Sequence, residues 1–144
     1  MSDLSTPRTD WKTVRASLVI GGAQVAGGLL LAWARKQGLI DAEGVMRGAM
    51  VIIGLGVAAI GNMIPKTRDG VQPQTMELAA LRQRVLRIAG WALLLGGLAF
   101  AGLSAFAPLN VAPMGAVIAL GGSMVVMIAY VVRWIIAYHR APIR

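Results

Sequence analysis

From Ile88 to Val132 the chain reads IAGWALLLGGLAFAGLSAFAPLNVAPMGAVIALGGSMVVMIAYVV, which is 45 residues without a charged side chain. A helix needs about 20 apolar residues to cross the hydrocarbon of a bilayer, so this stretch is too long for one crossing and long enough for two. Its middle, APLNVAP at residues 107–113, combines two prolines with an asparagine, as is typical of a turn. The stretch therefore predicts two membrane-spanning helices, at 88–107 and 114–138, joined by a short uncharged turn.

Two further uncharged apolar runs precede this stretch, at residues 16–34 and 48–65. Each has the length for one crossing, and each is apolar at odd and even positions alike, whereas a membrane β-strand alternates. The four runs predict an all-α integral membrane protein with a four-transmembrane-helix bundle, in a single membrane domain of residues 1–144. For the first run, the alternative is a cleaved signal peptide that would leave three spans. Ala32-Trp33-Ala34 has the small-x-small form of a signal-peptidase site.

Composition excludes several other classes of protein. The chain has 144 residues, of which 57% are hydrophobic, with no Cys, one His and a mean hydropathy of +0.69. A soluble domain this small has too little interior to bury so much apolar surface, and without Cys it is no disulfide scaffold. No Asp or Glu lies within the spans, whereas proton-coupled transporters generally carry an intramembrane acid. With no metal-ligand cluster and no activated nucleophile in the sequence, we expect no enzymatic activity, no metal and no cofactor.

The basic residues predict how the chain is threaded through the membrane. If both termini are cytoplasmic, 11 Lys and Arg lie inside and 3 lie outside. The positive-inside rule favours this orientation. We therefore expect an N-in/C-in protein of the bacterial inner membrane, with a cytoplasmic arm at 1–15 and a cytoplasmic loop at 66–87. Topology and attraction to the anionic headgroups of the lipid bilayer explain the net charge of +8, so no nucleic-acid partner is expected.

The loop before the third span has an amphipathic second half. Leu78, Leu81, Val85 and Ile88 recur at helical spacing and form one apolar face. Basic side chains lie beside or away from that face, which is typical of a cytoplasmic amphipathic helix on a membrane surface; docking to an acidic protein is the alternative. Together with residues expected at the membrane interfaces, the candidates for contact with lipid or a partner are Arg82, Arg84, Arg87, Trp91, Arg133 and Trp134.

Few polar side chains lie within the spans, and the notable ones are Gln24, Asn62 and Ser123. In a membrane such groups form a ligand site or hydrogen-bond a neighbouring helix. Asn62 precedes Pro65, whose ring leaves the carbonyl of Gly61 without its usual helical donor. Asn62 is therefore a candidate partner for that carbonyl.

Small residues recur four positions apart in all four spans, and this spacing lets helix backbones approach closely. The pairs are Gly22/Ala26, Gly28/Ala32, Gly54/Ala58, Gly97/Ala101 and Gly115/Ala119. They predict a tightly packed bundle and are compatible with a homo-oligomer.

The second span ends in GNMIPK at residues 61–66, and a basic segment then leads to Arg87 and to Gly90-Trp91. Over residues 50–100 this order resembles the bacterial SdpI-type membrane proteins, in which a Gly-Asn-x-x-Pro-Lys segment closes one helix. The chain departs from that pattern in its loop, where the family's Gly-Ile-Arg-Thr-Pro-Trp has no counterpart, and in Leu86, where the family has His. The positions that carry over are Gly61, Asn62, Pro65, Lys66, Arg87, Gly90 and Gly97.

This resemblance implies a non-enzymatic membrane protein related to an immunity protein that protects cells from a secreted toxic peptide. The site residues would then be Asn62, Pro65, Lys66 and Arg87, and Gln24 is the other polar candidate within the spans. One alternative is an accessory or structural subunit of a larger membrane complex, whose small-residue faces and basic loop would contact membrane-protein partners. A small passive channel is the other alternative.

Overall fold

A computed structural model describes residues 11–66, 76–108 and 110–140, and nearly all of them are helical. Most of the predicted arm at 1–15 and part of the predicted loop, residues 67–75, lie outside the described residues. The described chain has no β-strand. Its elements are α1 (Trp11–Lys36), α2 (Ala42–Met63), a short 3₁₀ turn (Ile64–Lys66), α3 (Met76–Phe106) and α4 (Ala112–Arg140).

Each of the four apolar runs falls on one of the four α-helices. All four helices are long enough and apolar enough to cross a membrane. The prediction of an all-helical, four-span protein is therefore confirmed in its architecture, and the chain has the fold of a multi-pass membrane protein.

The second helix begins earlier than its uncharged run. That run starts at residue 48, but α2 starts at Ala42 and includes both Glu43 and Arg47. Asp41 caps the helix, because its side chain accepts a 2.7 Å hydrogen bond from the backbone N–H of Gly44. A charged residue thus ends a hydrophobic run without ending the helix that contains it.

The turn predicted at 107–113 separates α3 from α4. The carbonyl of Pro108 accepts hydrogen bonds from the N–H groups of Val111 and Ala112, at 3.0 and 2.9 Å. Pro113 lies in the first turn of α4, where a helix tolerates proline because no N–H is needed there. As predicted, α4 continues past Arg133. Helix α3 is continuous from Met76, and in its stretch before Ile88 the apolar residues Leu78 and Val85 are buried inside the molecule.

The helices form an open row in chain order. Among the described residues α1 contacts only α2, α2 also contacts α3, and α3 also contacts α4. Neighbouring helices are antiparallel, so the beginnings of α1 and α3 lie at the same end of the row as the ends of α2 and α4. Most buried residues belong to α2 and α3, whereas the membrane-spanning part of α1 has none. The core of the molecule is therefore formed around α3, which packs against α2 on one side and α4 on the other.

Candidate functional site

The interface between α2 and α3 is a contact of backbone against backbone. A Cβ atom added to Gly97 of α3 would lie 2.6 Å from the backbone N of Ala58 and from the carbonyl O of Gly54. A Cβ atom added to Gly54 would in turn lie 2.8 Å from the backbone N of Ala101. The small-residue pairs on α2 and α3 thus face each other, which confirms the prediction that they allow close approach.

Farther along the same interface, Pro65 and two glycines fix the end of α2 against α3. Pro65 has no N–H, so the carbonyl of Gly61 lacks its helical donor. Gly90 lies against that carbonyl: a Cβ atom there would be 2.7 Å from Gly61 O and 2.7 Å from Pro65 Cγ. Only a residue without a side chain lets α3 come this close. The structure therefore gives Gly61, Pro65 and Gly90 a packing role.

Beside this contact lies a groove of about 130 Å³, which we call the α2–α3 groove. Its polar members are Asn62, which is exposed, and Trp91, which is 60% exposed. The remaining lining residues are Gly61, Pro65, Gly90 and Leu94. Asn62 and Trp91 are 29 positions apart in sequence, and the glycine contact brings them together.

Basic residues lie next to the groove. Arg87 is one helical turn before Trp91 on α3, Arg84 is a further turn away, and both are exposed. The spacing of Arg84, Arg87 and Trp91 places them on one side of α3. Lys66 ends the 3₁₀ turn directly after Pro65, but its side chain lies outside the described part of the structure.

The other basic candidates are distributed over two helices. Arg82 is half-buried on α3. Arg133 is exposed and Trp134 is half-buried, both on α4 near the end of the row that also carries Arg84 and Arg87.

Gln24 belongs to a different part of the molecule. It lies between α1 and α2, with its side-chain amide against Gly56, on the side of α2 that faces away from α3. It lines two clefts of about 300 and 260 Å³ between these helices. Gln24 has no hydrogen-bond partner among the described residues. The hydroxyl of Ser123 donates to the carbonyl of Leu120 in its own helix, at 2.7 Å. The expected hydrogen bonds between helices are therefore not formed by these two side chains.

Arg47 donates four hydrogen bonds, and sequence reasoning missed it. Its Nη1 donates to the carbonyl oxygens of Ala107, Ser104 and Ala105, at 2.9, 3.3 and 3.3 Å. Its Nε donates to Glu43 Oε1 at 3.0 Å, one turn earlier on α2. The last carbonyls of a helix lack intrahelical donors, so Arg47 caps the end of α3 from the neighbouring helix. The only signal in the sequence is the i, i+4 spacing of Glu43 and Arg47.

The described part of the chain contains no cluster of side chains that could hold a metal ion. No three His, Cys, Asp or Glu side chains come together among the residues described. Ser104 is 1% exposed, and its hydroxyl has no described hydrogen-bond partner. Its carbonyl is one of those that Arg47 caps, so this serine belongs to the closed interior near that contact.

The fold thus defines a class, the multi-pass α-helical membrane proteins. No protein-family model, curated protein or solved structure matches the chain.

Proposed function

We propose that the chain is a non-enzymatic protein that protects a bacterial cell against a membrane-active agent such as a secreted toxic peptide, with the α2–α3 groove as its recognition site. The observation that carries this proposal is the convergence of Asn62 and Trp91 on one groove, beside the exposed Arg87. Two of these residues, Asn62 and Arg87, are also among the positions that resemble the SdpI-type proteins.

The side chains around the groove can bind a peptide through hydrogen bonds and charge. An amide donates and accepts hydrogen bonds, an indole N–H donates, and a guanidinium binds carboxylates and carbonyl oxygens. The other groove residues, Pro65, Leu94 and the two glycines, are apolar, so an amphipathic peptide would find contacts for both of its faces.

The proposal includes an orientation in the bacterial inner membrane. With both termini cytoplasmic, the groove lies at the cytoplasmic boundary, and the stretch of α3 before Ile88 continues the third span toward the cytoplasm. Two observations support this orientation. Arg84, Arg87 and Arg133 share one end of the row, as the positive-inside rule requires. At the other end the charge of Arg47 is paired with Glu43.

The test is a survival assay in cells that produce equal amounts of each variant in the membrane. Asn62→Ala and Lys66→Ala should lower survival in the presence of purified amphipathic toxic peptides. Asn110→Ala is the matched control, because Asn110 is an exposed asparagine in the turn at the opposite end of the row. Unchanged protection by Asn62→Ala and Lys66→Ala, or equal sensitivity of cells with and without the protein, would contradict the proposal.

A second candidate function is an accessory subunit of a larger membrane complex. It is favoured by α1, where glycines 21, 22 and 28 have no atom within 4 Å of where a Cβ would lie. A neighbouring helix could approach these positions closely. Purification in mild detergent distinguishes the two: co-purifying membrane proteins would support the subunit function, and a homogeneous particle of monomer-to-tetramer mass would contradict it.

A further inference from the structure

Along α3, the exposed side chains change from basic to aromatic and then to aliphatic. Arg84 and Arg87 come first, Trp91 follows one turn later, and exposed Leu95 and Leu98 follow after that. The intervals of three and four residues keep all five side chains on one side of the helix. Cationic, aromatic and aliphatic groups therefore follow one another over roughly 21 Å, at about 1.5 Å per residue.

Among the described residues, the two arginines at the start of this series have no acidic partner. The ion pair of Arg47 and Glu43 lies at the opposite end of the row. The acidic residue of α3, Glu77, lies seven positions before Arg84, which is about two turns or 10 Å along the helix. Within the described part of the chain, Arg84 and Arg87 thus present two positive charges on one exposed surface, with no acidic side chain paired to either.

The α2–α3 groove adjoins this series at the level of Trp91. Asn62 contributes an exposed amide there, while Pro65 and Leu94 contribute apolar walls. An interfacial tryptophan marks the depth at which the polar and apolar parts of a membrane meet. The order of two cations, then the indole and the amide, then the exposed Leu95 and Leu98 matches the order of phosphate, glycerol ester and acyl chain in a phospholipid.

We propose that an anionic phospholipid binds at this surface. Its phosphate binds Arg84 and Arg87, its glycerol ester region lies at Trp91 and Asn62, and one acyl chain lies along the exposed Leu95 and Leu98. Charge complementarity selects an anionic over a zwitterionic lipid. A soluble anion would use only the arginines, and an acidic peptide would leave Leu95 and Leu98 without a contact. This site does not depend on a protective function of the chain, and it includes Arg84, which that function does not use.

The experiment measures lipid binding to the purified full-length chain in a non-ionic detergent by native mass spectrometry. Phosphatidylglycerol should bind about tenfold more tightly than phosphatidylcholine of the same acyl chains. Arg84→Gln and Arg87→Gln should each weaken phosphatidylglycerol binding about fivefold, because each removes one positive charge from the phosphate site. Arg87→Lys keeps the charge and should retain most of the affinity.

Arg133→Gln is the matched control, because Arg133 is an exposed arginine at the same end of the row but on α4. Its affinity for phosphatidylglycerol should stay within about twofold of that of the unmodified chain. Equal binding of the two lipids, or an equal loss in Arg133→Gln and Arg87→Gln, would overturn the proposal.

Two competitors distinguish the lipid from other anions. Glycerophosphoglycerol, which is the headgroup without acyl chains, and a short acidic peptide should each fail to displace phosphatidylglycerol at equal concentration. Displacement by either one would show that the surface binds a soluble anion or a peptide, and would overturn the lipid assignment.

Discussion

Helix α2 makes two different interfaces, and glycines lie in both. Toward α3, a Cβ atom added to Gly61 would lie 2.5 Å from the backbone N of Leu94. Toward α1, Cβ atoms added to Gly48 and to Gly27 would lie 2.7 and 2.8 Å from the side-chain ends of Leu31 and Ile52. The distances are similar, but a backbone cannot rotate away whereas a side-chain end can. The same residue type therefore marks a rigid contact on one side of α2 and an adaptable one on the other.

This difference between the α2–α3 and α1–α2 interfaces explains which helices contribute most to the stability of the molecule. Lipid is as apolar as leucine, so helices in a membrane gain stability from close packing and hydrogen bonds, not from leaving water. The α2–α3 interface has the close packing, and at one end Arg47 adds hydrogen bonds to the end of α3. The α1–α2 interface has two clefts around Gln24 instead. We therefore expect α2 and α3 to form the stable centre and α1 to be the least firmly held helix.

The largest effect is expected for Gly97→Ala. Its methyl group would meet the backbone of Ala58 and Gly54, so the two helices must separate, and the free energy of unfolding should fall by about 2–3 kcal/mol. Gly102→Ala is the matched control on the same helix, because nothing lies within 4 Å of its Cβ position. Unfolding titrations in mixed detergent micelles compare the two. Equal stability of the two variants would show that the backbone contact does not exist.

A somewhat smaller effect is expected for Arg47→Met. The substitution keeps much of the aliphatic stem but removes the donor for three carbonyls, so the free energy of unfolding should fall by about 2 kcal/mol. Arg47→Lys should recover only part of this, because an ammonium lacks the planar fork of the guanidinium. Arg35→Met, at the exposed end of α1, should change stability by less than about 0.5 kcal/mol in the same titration. If Arg35→Met lowered the free energy of unfolding as much as Arg47→Met, the result would contradict the role of Arg47 in capping α3.

The smallest effect is expected for Gly56→Ala, on the adaptable side of α2. The new methyl group meets the side-chain amide of Gln24, which can rotate, so the loss of stability should stay below about 1 kcal/mol. A double-mutant cycle with Gln24→Ala sharpens this expectation. In the Gln24→Ala background, Gly56→Ala should cost nothing. A loss as large as that of Gly97→Ala would show that α1 is held as rigidly as α3.

The sequence predicts the helices of this protein because a bilayer demands long uncharged runs. The two spans within 88–132 and the turn between them depend on length and on prolines, which are local properties. The start of α2 at Ala42 was not predicted, because its cap at Asp41 lies outside the uncharged run. The uncharged run shows which side chains can lie in lipid, whereas the ends of the helix are set by hydrogen bonds of the backbone.

The sequence indicates the residues of the candidate site, but it does not show that they lie together. Asn62 and Trp91 are recognisable as polar or interfacial side chains, yet nothing in the sequence shows that they share a groove. Their meeting depends on Gly61 and Gly90 facing each other, while glycines 21, 22 and 28 of α1 face no other helix in the described chain. Arg47 illustrates the limit most clearly, since the carbonyls that it caps are 57 to 60 positions away in the sequence.

Crosslinking across the α2–α3 groove in native membranes tests the central claim most directly. The chain contains no Cys, so Asn62→Cys combined with Trp91→Cys gives a single pair for a short bismaleimide. Asn62→Cys with Val132→Cys is the control, because Val132 is exposed on α4, and α2 and α4 do not touch in the described chain. A protease site inserted within 67–75 separates α2 from α3, so a crosslink keeps the two fragments joined. Joined fragments for the first pair and not the second are the predicted result; separated fragments for the first pair, or equal yields for both, would contradict the account.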